Sequence, residues 1–475
     1  MAMKIIIVGA GPGGYVSAIR AAQLGAEVTL IEKENIGGTC LNWGCIPSKV
    51  LKRSAEVFES FRRAREFGLV VTGDVHPDMA LLQGRKEKVI QDQMQGIEGL
   101  LRKHKVRLLR GSALLEIPGQ IIVHRSDEKP FQEPYDRLIL ATGSQPAEIP
   151  SCPFDGQRVI SSKEALSLRE IPGSLLIVGG GVIGCEFAFI FSSLGTKVTV
   201  VEALDRLLPL PSVDGDCSKV IQREMKKRKI SFMLKTVVEG IEQDGEKIRA
   251  SLGPSPLTEV PGPKTPVSPE VEKALVCAGR RPNTEGMDLD RVGVRSDEKG
   301  WIITDERMQT SVEGVYAIGD ALGPSKVMLA HVASREGLVA AENAMGGHEI
   351  MDYRAVPVAI FTMPEVANVG LTEIQAKEEG YEVKSDSVLF RTLGKAQVIG
   401  EIAGQVKIIS EAGSGTILGV HMVGPHVTDL IAEATLALRM GCTAKDLAET
   451  IHAHPTLSEV MSEASFAALG RPLHG

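Results

Sequence analysis

The sequence predicts an α/β chain made of two copies of one parallel strand–helix–strand unit, followed by a C-terminal α+β domain. Three observations carry this reading. The apolar run Ile6-Ile7-Val8 leads into Gly9-Ala10-Gly11-Pro12-Gly13-Gly14, and 170 residues later Leu176-Ile177-Val178 leads into Gly179-Gly180-Gly181-Val182-Ile183-Gly184. The offset then persists: Leu24-Gly25 matches Leu194-Gly195, Val28-Thr29 matches Val198-Thr199, and Glu32 matches Glu202, each acid 18 residues past the last fingerprint glycine. From about residue 349 the pattern changes, with Val356 to Ile360 and Gly404 to Ile409 reading as strands and 427–440 and 456–468 as helices.

In each copy G-x-G-x-x-G follows a strand, opens a helix and precedes a second strand ending in an acid. That is the full context of a dinucleotide site, so both units are expected to be Rossmann-like. Gly9, Gly11 and Gly14, and likewise Gly179, Gly181 and Gly184, permit the tight turn and close backbone approach. The helix N-terminus offers free N–H groups and partial positive charge to a pyrophosphate. Glu32 and Glu202 are placed to accept from ribose hydroxyls. The alternative, two glycine-rich turns in ordinary α/β units, has to explain the same context twice.

Leu138 to Ser144 and Ala274 to Pro282 also echo one another. They read either as the closing strand and turn of each unit, near its cofactor, or as plain strand–turn pairs. Residues 52–104 read as long amphipathic helices. Residues 253–270, with prolines at 254, 256, 261, 263, 266 and 269, read as an extended surface loop.

Composition narrows the class. A net charge of -7 gives no basic face for nucleic acid, and 4% aromatics leave little for base stacking. No apolar run reaches the roughly 18 residues of a membrane helix. Met1-Ala2-Met3-Lys4 runs straight into the first strand, so no leader is expected and the expected compartment is the cytosol. The seven cysteines (40, 45, 152, 185, 217, 277 and 442) are odd in number and sparse, unlike a secreted disulfide scaffold.

Only Cys40 and Cys45 lie close in sequence, in Gly37-Gly38-Thr39-Cys40-Leu41-Asn42-Trp43-Gly44-Cys45-Ile46-Pro47-Ser48-Lys49. A regular helix rises about 7.5 Å over five residues, beyond the roughly 7 Å Cα limit of a disulfide. Bridging therefore needs a backbone departure, which Gly37, Gly38, Gly44 and Pro47 make plausible. A helix N-terminal field there favours a thiolate. A zinc half-site and two inert thiols are the other readings; zinc lacks a second cysteine cluster.

In the C-terminal part, His454 precedes Glu459 by five residues across Pro455. This suits a carboxylate-oriented acid–base histidine. It also suits a loop capped by Thr456 with Glu459 at the third helical position, and the two readings are compatible. Asp320 ends the strand Val315-Tyr316-Ala317-Ile318-Gly319, either as an acceptor for a ribityl or ribose hydroxyl or as a helix N-cap.

The double fingerprint, Gly38 to Lys49, Ala141 to Ser144, Gly279 to Thr284, Ala317 to Asp320 and His452 to Glu459 occur together and in this order. On these motifs, over nearly its whole length, the chain resembles the pyridine nucleotide–disulfide oxidoreductases. The resemblance implies a FAD-binding domain (1–150 and a central part 285–348), an NAD-binding domain (151–284) and a dimerisation domain (349–475). It implies FAD on the first fingerprint and NAD on the second. It makes Cys40 and Cys45 a redox-active disulfide, Cys40 meeting the substrate and Cys45 the flavin. His454, held by Glu459, becomes the base, supplied by the partner chain of a homodimer. Lys49 and Glu186 would pair near the flavin, with Ala113, Gly143, Asp320 and Ala330 (in Met328 to His331) along the FAD, and Val237 and Gly279 flanking the nicotinamide nucleotide. No metal is implied.

Within the family the resemblance is to members that oxidise dihydrolipoyl groups, free or on a carrier in a 2-oxoacid dehydrogenase or glycine cleavage complex. Glu202 welcomes a 2′-hydroxyl and repels a 2′-phosphate, so NAD is expected, with Arg206 nearby as a complication. Trp43 departs from the small aliphatic residue expected inside the cysteine loop, which touches on the substrate. The competing expectations are a reductase of another disulfide, a quinone or mercuric ion, and a flavin-binding sensor that would need neither the cysteine pair nor His454.

Overall fold

A computed structural model of the chain describes residues 2–125, 129–259 and 269–474. Strand β1 (Lys4–Val8), helix α1 (Pro12–Gln23) and strand β2 (Glu27–Glu32) form the first unit. Its parallel sheet runs Val315–Ala317, Arg137–Leu140, β1, β2, β3 (Arg107–Arg110). Ile5, Ile7, Leu30, Leu138 and Ile139 are fully buried, as unbroken apolar strands require when helices cover both faces. The second unit repeats the plan: Ser231–Met233, Lys197–Val201, Ser174–Val178, Lys273–Val276 and Val159–Ile160, again parallel. In both units a three-stranded antiparallel sheet intervenes before the returning strand. The closing strands are thus Arg137–Leu140 and Lys273–Val276, each beside its first strand.

The 170-residue offset ends after the acids. Between Glu32 and β3 lie α2 (Gly38–Trp43), α3 (Cys45–Arg62) and α4 (Met79–Lys103), where the second unit has the single helix Gly215–Lys227. The amphipathic helices expected over 52–104 are therefore α3 and α4, separated by a 3-10 turn at Ala64–Phe67 and a largely exposed stretch. Asp78 caps α4 by accepting from Leu81 N–H. Within the proline-rich segment, Pro254 ends a strand and Pro269 precedes the short strand Glu270–Val271. Pro261, Pro263 and Pro266 lie outside the described residues.

The C-terminal part is a five-stranded antiparallel sheet, ordered Val358–Ile360, Glu365–Gly370, Ile417–Gly424, Gln405–Glu411, Val383–Leu389. Helices Val427–Met440 and Glu459–Ala468 pack on it, and a helix unforeseen in the sequence, Ala444–Glu449, lies between them. This is the α/β-plus-α+β class that the sequence predicts. No helix among the described residues is long and apolar enough to cross a membrane.

Lys407 ties this sheet to the second unit. Its ammonium lies 3.3 Å from Asp214, 3.2 Å from Asp216 and 2.8 Å from Glu373. Burial works against the lysine charge, but the three acids hold its pKa above the ordinary lysine range. Lys377 first and Lys407 second bring the Glu373 carboxyl down to about 2. A depressed acid stabilises the fold fully above its ordinary pKa of 4.5 and loses that contribution as pH falls toward about 2. We expect Lys407→Met to destabilise the protein by roughly 3 kcal/mol at neutral pH, because buried Asp214 loses its cation. Urea unfolding should show this, with the gap to wild type closing as pH falls from 4.5 toward about 2.

Candidate active site

Each fingerprint turn is closed by contacts that only glycine permits. A methyl on Gly14 would lie 1.8 Å from Gly9 O, and one on Gly184 1.9 Å from Gly179 O. Methyls on Gly11 and Gly181 would meet no protein atom within 4 Å, so these positions face outward into open space. Gly11 and Gly181 are also the N-caps of α1 and of Val182–Leu194, and neither helix has a side-chain cap. Free N–H groups thus face two open cradles, as a pyrophosphate requires. Beside the first, buried Thr142 Oγ1 has no hydrogen-bond partner among the described residues. These features fit one dinucleotide per unit.

The acids do more than the sequence reading assigned. Glu32 Oε2 accepts from Ala10 N–H at 2.7 Å and Oε1 from Glu34 N–H at 2.7 Å. Glu202 repeats this with Gly180 N–H at 2.6 Å and Leu204 N–H at 2.8 Å. Each carboxylate staples its fingerprint to the end of the second strand and keeps lone pairs for a ribose. Arg206 does not reach toward Glu202. Its guanidinium donates to Val213 O, Ser218 Oγ and Leu210 O, each at 2.9 Å.

The two cysteines fall on either side of a helix break. Cys40 sits on α2 and Cys45 opens α3, with Gly44 between. A methyl on Gly44 would lie 2.9 Å from Thr39 O, so glycine is what lets the chain fold back there. Both cysteines are free thiols, where the resemblance implied a disulfide. They are hydrogen-bonded to each other, so the backbone departure needed for pairing is present. The Cys45 thiol is lowered to about 7, chiefly by the hydrogen bond from Cys40; burial opposes this, and Lys49 assists against Glu186 and Asp320. The same hydrogen bond, then burial, pushes Cys40 far up. Cys45, at the N-terminus of α3, is therefore the more acidic thiol of the pair and Cys40 the less acidic.

Lys49, one helical turn beyond Cys45, pairs with Glu186 at 2.8 and 3.0 Å, as the resemblance implied. Glu186 Oε1 also accepts from Phe361 N–H at 2.9 Å. Asp320 lies inside the 3-10 segment Gly319–Ser325, whose N-cap is Ile318, so the N-cap reading does not hold. Its carboxylate accepts from Ser144 Oγ at 2.6 Å, and Ser144 is gripped by Arg280 through Oγ at 2.6 Å and its carbonyl at 2.7 Å. Strands Arg280–Pro282 and Ser144–Pro146 pair, which joins the turns at Gly143 and Gly279. Ala113 and Val237 each hold the second place in the first strand of their three-stranded sheets. Ala330 opens the helix Ala330–Ala344, which also lacks a side-chain cap.

His454 stands apart from this cluster. Its Nδ1 lies 2.8 Å from Glu459 Oε1, and its side chain is 78% exposed. No histidine is among the groups that act most strongly on either sulfur. Burial raises the Glu459 pKa, but hydrogen bonds from His454 and Thr456 N–H leave it below the ordinary value. Thr456 is not the N-cap: its hydroxyl donates to Ala453 O, its N–H goes to Glu459 Oε2 at 2.8 Å, and the helix begins at Glu459. His452, unassigned from the sequence, bridges to Glu433 at 2.9 Å. Trp43 packs under Lys163, whose ammonium is 4.3 Å from the ring centroid. Phe361 was missed as a site residue because it arrives from a distant segment with no local motif to mark it; Arg280 lies within the Gly279–Thr284 motif, but its grip on Ser144 is made by tertiary packing.

Residues 3–337 match the pyridine nucleotide-disulphide oxidoreductase family, and 356–465 match its dimerisation domain. The chain belongs to this family. It is 43% identical to dihydrolipoyl dehydrogenase of Chlamydia muridarum across 100% of this chain and 98% of that protein. It is 42% identical to that of Bacillus subtilis, over 99% and 98% of the two chains. Among solved structures, LpdA from Mycobacterium tuberculosis is similar with a TM-score of 0.88 and 28% identity, covering 98% of this chain and 99% of that one. The HOCl-induced flavoprotein disulfide reductase RclA from Escherichia coli gives 0.84 and 25%, covering 97% and 99%. The protein is an oxidoreductase whose cofactors are FAD and NAD.

The Gly44 break is directly testable. Gly44→Ala should slow oxidation of the Cys40–Cys45 pair at least tenfold, a barrier of about 1.4 kcal/mol. Thiol counts after timed exposure to diamide, with both cysteines followed by peptide mass spectrometry, measure it.

Proposed function

We propose that the enzyme oxidises dihydrolipoyl groups to lipoyl groups and passes the electrons to NAD, working as a homodimer. The carrying observation is the thiol pair: a low-pKa Cys45 at a helix N-terminus, hydrogen-bonded to Cys40 and flanked by the Lys49–Glu186 ion pair. Relatives named dihydrolipoyl dehydrogenase at 43% and 42% identity support the substrate.

The reaction starts with Cys40 and Cys45 joined. His454, oriented by Glu459, takes a proton from one thiol of the substrate. The resulting thiolate attacks Cys40, the Cys40–Cys45 bond breaks, and Cys45 leaves as a thiolate. Lys49 and the α3 N-terminus hold that charge. The second substrate thiol then attacks the mixed disulfide, releases the cyclic disulfide and leaves Cys40 to take up the proton. When bound, FAD supplies the two-electron route from the dithiol to NAD. Gly9, Gly11, Gly14 and Glu32, with Ala113, Gly143, Asp320 and Ala330, would hold FAD; Gly179, Gly181, Gly184, Glu202, Val237 and Gly279 would hold NAD. The exposure of His454 and its position within the dimerisation match favour its delivery to Cys40 of the partner chain.

Glu202, buried at the second fingerprint, disfavours a 2′-phosphate, and Arg206 is committed elsewhere. The sparse free cysteines suit a reducing cytosol, with protein-bound lipoyl groups of a 2-oxoacid dehydrogenase or glycine cleavage complex as the natural substrate.

NADH formation with dihydrolipoamide is the test. Turnover should be readily measured with NAD and at least a hundredfold lower in kcat/KM with NADP. His454→Gln should lower kcat by about 10²–10⁴-fold, and Cys45→Ser should abolish turnover. A wild-type enzyme that ignores dihydrolipoamide while reducing another disulfide with NADH overturns the substrate assignment.

A further inference from the structure

The segment Val358–Glu365 belongs to the C-terminal sheet of the same chain, yet it reaches the redox centre. Phe361 makes two contacts there. Its N–H donates to Glu186 Oε1 at 2.9 Å, and its ring lies under the Lys49 ammonium, 4.4 Å from the centroid. The Lys49–Glu186 pair is thus closed into a triangle: cation to carboxylate, carboxylate to Phe361 amide, cation to Phe361 ring. A second lysine of α3, Lys52, stands 5.6 Å from the same ring. Lys52 is 6% exposed and bound to Glu365 at 2.7 Å and Glu56 at 2.8 Å. Glu365 in turn accepts from Thr428 Oγ1 at 2.7 Å, at the start of helix Val427–Met440. The phenyl ring is held between two cations on one face of the helix that begins at Cys45, and its segment is anchored at the far end.

We propose that Phe361 is a positioning residue for the redox centre: its ring and its backbone N–H together fix the Lys49–Glu186 pair and so the cation beside Cys45. The ring supplies a face that attracts an ammonium, and its bulk keeps water from screening Lys49 on that side. With the ring removed, Lys49 gains freedom to swing away from the sulfur. The charged or titratable groups facing Cys45 are Cys40 from α2, Lys49 from α3, Glu186 from Val182–Leu194, Asp320 from the Gly319 turn and Arg280 from Arg280–Pro282. Tyr15 of α1 faces Cys40. Of these, Phe361 touches two: Lys49 through its ring and Glu186 through its N–H. The inference rests on the proposed function only in taking Cys45 to be the thiolate beside the flavin.

The test is spectroscopic. In dithiol-reduced holoenzyme, the long-wavelength absorbance of a thiolate beside oxidised flavin is titrated against pH. Phe361→Leu keeps the amide and most of the apolar volume but removes the aromatic face. It should move the midpoint upward by at least ~0.5 pH unit, about threefold in the thiolate ratio. Phe361→Tyr, which restores the face, should stay within ~0.2 of wild type, and Lys49→Met gives the full effect for scale. A Leu variant that superposes on wild type overturns the proposal, as does a Tyr variant that shifts as far as Leu. If the Leu chain fails to fold, judged by flavin content and near-ultraviolet circular dichroism, Phe361→Met is read in the same way. A wild type that shows the band but does not oxidise dihydrolipoamide would sink the substrate reading and leave this titration to decide Phe361.

Discussion

The backbone break at Gly44 governs the chemistry of this protein. Continuous helix would carry Cys40 and Cys45 past one another along the axis, about 7.5 Å apart. Ending α2 at Trp43 and restarting at Cys45 turns the two sulfurs toward each other and puts the second at the positive end of an 18-residue helix. The hydrogen bond between them then separates their acidities, lowering Cys45 and raising Cys40. The same helix presents Lys49 one turn on and Lys52 nearly two turns on, aligned with the sulfur. Much of the surrounding structure, from Glu186 to Glu365, is organised to receive those two cations.

The duplicated unit shows how one solution serves two nucleotides. In both copies the glycines touch at under 2 Å from a hypothetical methyl, the helix is left uncapped, and a carboxylate clips the second fingerprint residue. The units diverge beyond the acid. The first inserts the cysteine-bearing helices; the second inserts a single helix, which Lys407 ties to the C-terminal sheet. The cysteine-bearing helices thus follow one copy of the plan and leave its glycine turn the same as in the other.

What could be read from the sequence was local. The fingerprints, the acids 18 residues beyond them and the glycine-flanked cysteines all lie within short windows, where backbone geometry ties spacing to position. The Lys49–Glu186 pair spans 137 positions and was reached only through resemblance. Phe361 bears no local mark; Ser144, Arg280 and Asp320 each lie in a motif, but the chain of hydrogen bonds that joins them is made by tertiary packing. The clip by Glu32 and Glu202 was missed since a ribose role explains the same acid. Thr456 looked like a helix cap, but Glu459 had already taken its amide, and the chain is still turning at that point. Trp43 read as a departure that touches on the substrate; in the structure its ring is engaged by Lys163.

Arg206 has a consequence for anyone wishing to re-engineer the coenzyme. Its guanidinium pins the loop ahead of helix Gly215–Lys227 through two carbonyls and a hydroxyl. Recruiting it toward a phosphate would unfasten that loop. Replacing Glu202 removes a repulsion, yet strands the amides of Gly180 and Leu204 without acceptors. A redesign that deletes the Glu202 carboxylate therefore has two tasks, a cation for the phosphate and acceptors for both amides, and removing the acid alone meets neither.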